Sequence, residues 1–241
     1  MKKIVIFSLL FSLLFANEAE DIIRKVDHNM RGKNVYMKMH MSIKTKNHKR
    51  TMGMESWSEG KKKSFVNITS PSKDAGITFL SLNGQMWQYV PKIERVIKIP
   101  PSMMLQNWMG SDISNDDVVK QSSMVDDYTA KLLSKKGNVA KIELTPKPNA
   151  AVVWGKIISK INTSNYTGIE DVFYDENGRK VRVFFYQKVK KFGNYYIPTV
   201  WTITPLNKKH NSTTIVIDNA VFDGKINSQY FKKSALKRFS R

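Results

Sequence analysis

The chain has 241 residues and no cysteine, which allows one sizeable β domain and excludes disulfides and thiolate chemistry. Lys and Arg number 40 against 20 Asp and Glu, a formal charge of +20 that excludes an ordinary balanced surface and points to an anionic partner. Nucleic acid, an acidic protein and a phospholipid headgroup layer all meet that description.

The first residues discriminate among these. Lys2 and Lys3 precede an apolar run from Ile4 to Phe15, and Ala16 supplies a small residue before the polar Asn17 and Glu18. This predicts a signal peptide over residues 1–16 and a mature domain over 17–241, located in the periplasm. The run is shorter than the roughly 20 residues needed to span a bilayer. Only two of the lysines leave with it, so the basic character belongs to the folded part. Export sets nucleic acid aside as a partner, and with no cysteine after the signal there is no lipid attachment there.

Asn17 and Glu20 resemble a capping box, and Ile22, Ile23, Val26 and Met30 fall on one helical face that ends at Gly32. From Val35 the period becomes two: Val35, Met37, Met39, Met41 and Ile43 alternate with polar residues, and after a turn near Asn47-His48 the pattern resumes through Met52, Met54 and Trp57. Further strands are predicted at Lys63–Thr69, Ile77–Leu82, Met86–Val90 and Ile93–Ile99, with Asn83-Gly84 as a hairpin turn. An apolar, methionine-rich segment follows the double proline 100–101 and closes on an acidic loop at Asp112–Asp117. Alternation returns at Tyr128–Leu133, Val139–Thr145, Lys156–Ile161, Ile169–Tyr174, Val181–Val189, Tyr195–Ile203 and Thr213–Phe222, and the tail from Asn227 reads as a short helix or an ordered strand end. Many strands joined by hairpins predict a mainly β fold built as an antiparallel meander with a helical insertion.

Two groups of residues invite chemistry. Asp112, Asp116 and Asp117 are hard oxygen ligands, yet an EF-hand would need glycine at Asp117 and glutamate at Ser123. Capping of a short helix by Ser114 or Asn115 accounts for them more simply. The histidines at 28, 40, 48 and 210 lack metalloprotease spacing, and no Gly-x-Ser-x-Gly elbow occurs. The second group is the methionine wall. Met37, Met39, Met41, Met52 and Met54, with Phe79, Trp87 and Tyr89, are expected to line a cavity, because thioether chains mould to flexible apolar guests. The same residues can also fill a dry core under the first helix. Met103, Met104, Trp108 and Met109 are the expected lid.

Trp87-x-Tyr89-x-Pro91, Arg95-x-Ile97-Lys98-Ile99-Pro100-Pro101, Trp108-Met109-Gly110-Ser111-Asp112 and Asn115-Asp116-Asp117 together resemble the signature of the outer-membrane lipoprotein-sorting proteins of the LolA-like group. Asp21–Gly32, Ser70-Pro71 with Gly76, Phe79-Leu80, Tyr196-Ile197-Pro198-Thr199 and Phe231–Arg238 are similar to the rest of that family's chain. The resemblance implies an incomplete, curved antiparallel barrel of about eleven strands around a helical lid, the fold of the carrier LolA and the receptor LolB. It implies a non-enzymatic periplasmic carrier for acyl chains of lipoproteins or lipid, working towards the outer membrane with an inner-membrane exporter as partner and no cofactor or metal, and the excess of Lys and Arg adds an anionic membrane surface as an expected partner. Arg95 is the expected latch, bonding lid carbonyls or Asp112. Two other functions stay open at this point: a metal-dependent hydrolase using Asp112, Asp116 and Asp117, and a sensor that binds a partner protein.

Overall fold

The alternation from Val35 becomes a strand whose apolar side chains all turn one way. In β1 (Asn34–Lys44) Val35, Met37, Met41 and Ile43 are buried while Lys38 and Lys44 are exposed, because successive side chains of a pleated strand point to opposite faces. The computed structural model describes residues 18–120, 124–150 and 152–240. The signal peptide predicted over residues 1–16 and the cap at Asn17 lie outside them. Among the described residues no helix is long and apolar enough to cross a membrane.

Helix α1 covers residues 18–31, and Gly32 follows it at φ 54°, the left-handed geometry of a helix C-terminus. After β1 come β2 (Lys49–Glu59), β3 (Lys63–Ser70), β4 (Thr78–Leu82), β5 (Gln85–Val90) and β6 (Arg95–Ile99). The insertion carries α2 (Asn115–Lys120) and α3 (Met124–Asp127). The second run is β7 (Tyr128–Lys136), β8 (Val139–Pro146), β9 (Lys156–Asn162), β10 (Thr167–Tyr174), β11 (Lys180–Phe192), β12 (Tyr195–Pro205) and β13 (Ser212–Phe222), followed by α4 (Ala235–Arg238). Every alternating stretch is a strand, with Asn83 and Gly84 both at positive φ in the β4–β5 turn, as a tight two-residue hairpin requires. The first residues of the stretch predicted from Ile93 differ: Pro91–Ile93 is a 3-10 turn and Glu94 is left-handed, so the strand starts at Arg95.

The thirteen strands form one antiparallel sheet in the order β6-β5-β4-β3-β2-β1-β13-β12-β11-β10-β9-β8-β7. This replaces the about eleven strands implied by the resemblance. The two meanders join where β1 pairs with β13, and the edges β6 and β7 do not pair with each other, so the curved sheet is unclosed.

One side-chain parity lines a continuous inner face. Over the second meander α1 covers it, with Ala19, Ile22 and Ile23 packed on Tyr128, Ile142, Leu144 and Phe173. Over the first meander the insertion covers it. The opposite, outer face has its own small core, where Ala235 and Leu236 of α4 meet Phe65, Leu80, Trp87 and Tyr89. Thr78 ties this cap down by donating its hydroxyl to the Leu236 carbonyl at 2.7 Å.

Candidate functional site

The floor of the inner face over the first meander is made of methionine. Met41 stands opposite Met52 and Met39 opposite Met54, a direct consequence of the β1–β2 register. Met37, Met41, Met52 and Met54 are buried, and Met39 is partly buried beside the irregularity that shifts the β1–β13 register between Lys38 and Met39. Phe79, Met86, Ile197, Ile203, Ile215 and Ile217 extend this floor. Trp87 and Tyr89 do not belong to it. Leu80 pairs with Trp87 and Ser81 with Met86, which turns Met86 inward and puts Trp87 and Tyr89 on the outer face with α4. A one-residue error in parity moves a side chain across the sheet.

The insertion lies on this floor as a self-bonded piece. Pro101–Met103 and Trp108–Gly110 are single 3-10 turns. The Asp116 amide donates to the Met104 carbonyl at 2.8 Å, the Asn115 amide to the Gln106 carbonyl at 3.0 Å, and the Trp108 amide to the Ile113 carbonyl at 2.7 Å. The Asn115 side chain donates to the Met103 carbonyl at 2.9 Å. Met109 and Gly110 both have positive φ, and the sharp reversal they make presses Trp108 down while Leu105 remains exposed at the tip. Trp108 meets Phe79 at 5.2 Å between ring centres, and Met103, Met104 and Met109 pack on the same core. The predicted cavity is therefore filled by the predicted lid: Trp108 and Ile113 are 4% and 5% exposed. Two open clefts, of about 350 and 380 Å³, lie elsewhere, one beside Ile77, Val90 and Pro91 and the other beside Trp57, Tyr230 and Phe239.

Two polar anchors join the lid to the sheet. The Thr213 hydroxyl donates to Asp112 Oδ2 at 2.8 Å and accepts from the Asp112 amide at 2.9 Å. Arg182 forms the second anchor, donating through Nη1 and Nη2 to the two oxygens of Asp117 at 2.6 and 2.5 Å, and through Nη1 to the Asp112 carbonyl at 3.3 Å. Its guanidinium is flanked by the rings of Trp154, Phe173 and Phe184 at 4.2, 4.5 and 4.8 Å. Burial alone would raise the Asp117 carboxyl, but the Arg182 charge and its hydrogen bonds outweigh it and, with Ser114, hold that carboxyl below its ordinary value. The arginine that meets the insertion is thus Arg182, whereas Arg95, the expected latch, is exposed on the edge strand β6. Sequence parity contained the signal: Arg182 shares its face with Phe184, and a charge on an apolar inward face must find a partner.

Asp171 is a second buried carboxyl on the inward parity, accepting from the Tyr186 hydroxyl at 2.8 Å, and burial raises its proton affinity. In the acidic loop Asp117 is taken up by Arg182 and Ser114 and Asp112 by Thr213, and among the described residues no group of three or more His, Asp or Glu side chains is placed to share an ion. Ser114 and Asp117 instead cap α2 reciprocally, with the Ser114 amide on Asp117 at 2.7 Å and the Asp117 amide on the Ser114 hydroxyl at 3.2 Å.

A family model described only as an uncharacterized protein matches residues 60–238. The chain is similar to a solved DUF1329 family protein from Desulfovibrio piger, with a TM-score of 0.84 and 22% identity over 92% of this chain and 99% of that one. It is similar to a domain assigned to an outer membrane lipoprotein-sorting protein from Vibrio parahaemolyticus, with a TM-score of 0.81 and 20% identity over 92% and all of the respective chains, 100% of the second. A LolA superfamily protein from Nitrosomonas europaea gives a TM-score of 0.75 and 18% identity over 90% and 98%. At these identities the likeness establishes the fold. No curated protein matches the chain.

Proposed function

We propose that this chain, which shares its fold with a LolA superfamily protein and with a domain of an outer membrane lipoprotein-sorting protein, is a non-enzymatic carrier that holds acyl chains of lipoproteins or lipid against the methionine floor. The observation that supports this most is the division of bonds in the lid. Its hydrogen bonds are mainly internal, and Asp112 and Asp117 supply its polar anchors to the sheet, so it can leave as a unit.

Covering an acyl chain is worth about 0.8 kcal/mol per buried CH₂. In the closed form Met103, Met104, Met109 and Trp108 already cover the floor, so a chain that displaces them exchanges one apolar contact for another and the transfer stays reversible. The closed lid also holds the Trp108 indole N–H buried with no acceptor in reach. That donor costs about 1–3 kcal/mol where it is, and the cost is relieved when the lid lifts. The flexible floor at Met37, Met39, Met41, Met52, Met54 and Phe79 then adapts to the incoming chain.

In this reading the protein works in the periplasm after loss of its signal peptide, receives cargo from an inner-membrane exporter, and meets anionic membrane surfaces through its basic exterior. Uptake of a fluorescent fatty acyl probe tests the carrier reading. Met39→Asp should abolish uptake and Lys136→Glu, on β7, should leave it intact; equal uptake by the two variants removes the methionine floor as the binding surface.

A further inference from the structure

The hairpin of β11 and β12 outruns its neighbours. β10 pairs with β11 only as far as Phe185, and β13 pairs with β12 only from Val200 onward. Residues 188–199 therefore form a two-stranded arm, paired from Val189 opposite Pro198 to Phe192 opposite Tyr195, with Gly193 at φ 59° in its turn.

One side of the arm is fixed to the body. Ile197 is buried in the core that also contains Trp108, Phe192 packs on that core, and Tyr195 stacks on Phe222 at 4.5 Å between ring centres and donates to Asp223 at 2.6 Å. The other side is open. Val189 and Tyr196 are 40% and 37% exposed, and Phe185 at the root of the arm is 41% exposed. Lys188, Lys190 and Lys191 are exposed along this stretch of β11: Lys191 shares the open side with Tyr196, whereas Lys190 stands opposite Ile197 on the other parity. Lys191 stands opposite Tyr196, with its ammonium 5.5 Å from the ring centre. None of the ion pairs among the described residues includes these three lysines.

Lysines alone are what an unpaired strand edge needs to discourage pairing with another chain. They do not account for a valine, a tyrosine and a phenylalanine exposed beside them. Three exposed lysines on one projecting arm, with Lys191 over an amphipathic ring and a valine exposed on the same side, match a surface that is anionic at the level of the ammonium groups and apolar just beneath it. We propose that this projecting arm is where the protein docks on an anionic phospholipid bilayer. The inference rests on the carrier reading for its role: the buried side of the arm shares a core with the lid, so docking holds the lid beside the bilayer.

The test is co-sedimentation of the cargo-free protein with vesicles of about one part phosphatidylglycerol to three parts phosphatidylethanolamine. Each lysine near such a surface contributes about five-fold, so the triple variant Lys188→Gln, Lys190→Gln, Lys191→Gln should bind about 100-fold more weakly. A second triple variant on β7 and β8, Lys131→Gln, Lys136→Gln, Lys141→Gln, loses the same charge and should bind like the parent. Tyr196→Ser with Val189→Ser should weaken binding several-fold, and that loss should persist when salt is raised. Equal loss in the two triple variants, or vesicle binding that survives the arm variant, overturns the proposal, as does a parent protein that does not sediment with these vesicles. A parent that docks through the arm yet takes up no acyl probe sinks the carrier reading and leaves the docking surface standing.

Discussion

Arg182 and Asp117 form the contact on which the closed lid depends, and its chemistry sets two expectations. Removing one member of a buried ion pair leaves the other charge stranded at a cost of about 3–5 kcal/mol. Arg182→Met should therefore destabilise the protein by that amount in urea unfolding, and Asp117→Asn added to it should recover part of the loss; additive effects of the two changes would mean that the pair is not coupled. The Asp117 carboxyl titrates below its ordinary 3.8 in the folded protein, so the stability it contributes is complete above that value and is lost as pH falls through the folded pKa. The Arg182–Asp117 pair therefore holds at neutral pH and is lost only in acid. Asp171 has the opposite sign: burial raises its pKa, so its charged form opposes folding as pH rises through the folded value. Asp171→Asn should raise Tm at pH 7, with a gain that shrinks towards zero below the ordinary carboxyl value; a gain independent of pH would refute this assignment. Both residues were legible in principle. Arg182 and Asp171 share the inward parity of Phe173, Phe184 and Tyr186, which marks a buried charge, but strand parity does not say which residue of a distant loop will meet it. Arg95 lies next to the lid in sequence, and that nearness misdirects attention from a partner 65 residues away from Asp117.

The lid is the element whose behaviour follows from its bonding. Short 3-10 turns and a six-residue helix have little stability of their own, so the lid keeps its shape through its internal hydrogen bonds and the Ser114–Asp117 cap. Ser114→Ala should cost about 1 kcal/mol. In native-state hydrogen exchange, the lid amides of Ser111 and Asn115–Asp117 should open together, well before those of β1; exchange at the global unfolding rate would show that the lid does not move separately. The strands themselves were plain in the sequence because a half-buried strand writes its alternation directly into the residue order. β5 shows where this fails. Its run Met86-Trp87-Gln88-Tyr89 has large side chains on both parities, because α4 buries the outer face as well, and the pattern alone does not say which set faces the methionines.

At the scale of the whole molecule, one antiparallel sheet of thirteen strands carries two covers on its inner face, α1 over the second meander and the lid over the first. Both covers have polar ties to the sheet, α1 through Glu18 and Asn29 and the lid through Asp112 and Asp117, and the lid's largely internal bonding is the basis of the carrier reading. It can be tested with a reversible lock, and the absence of native cysteine makes an introduced pair unique. Asp112 and Thr213 already touch, so Asp112→Cys with Thr213→Cys should close a disulfide between lid and sheet. Uptake of a fluorescent acyl probe by this variant is the deciding measurement. The account predicts no uptake when the pair is oxidised and recovery of uptake on reduction; equal uptake in the oxidised and reduced forms would show that cargo does not enter beneath the lid.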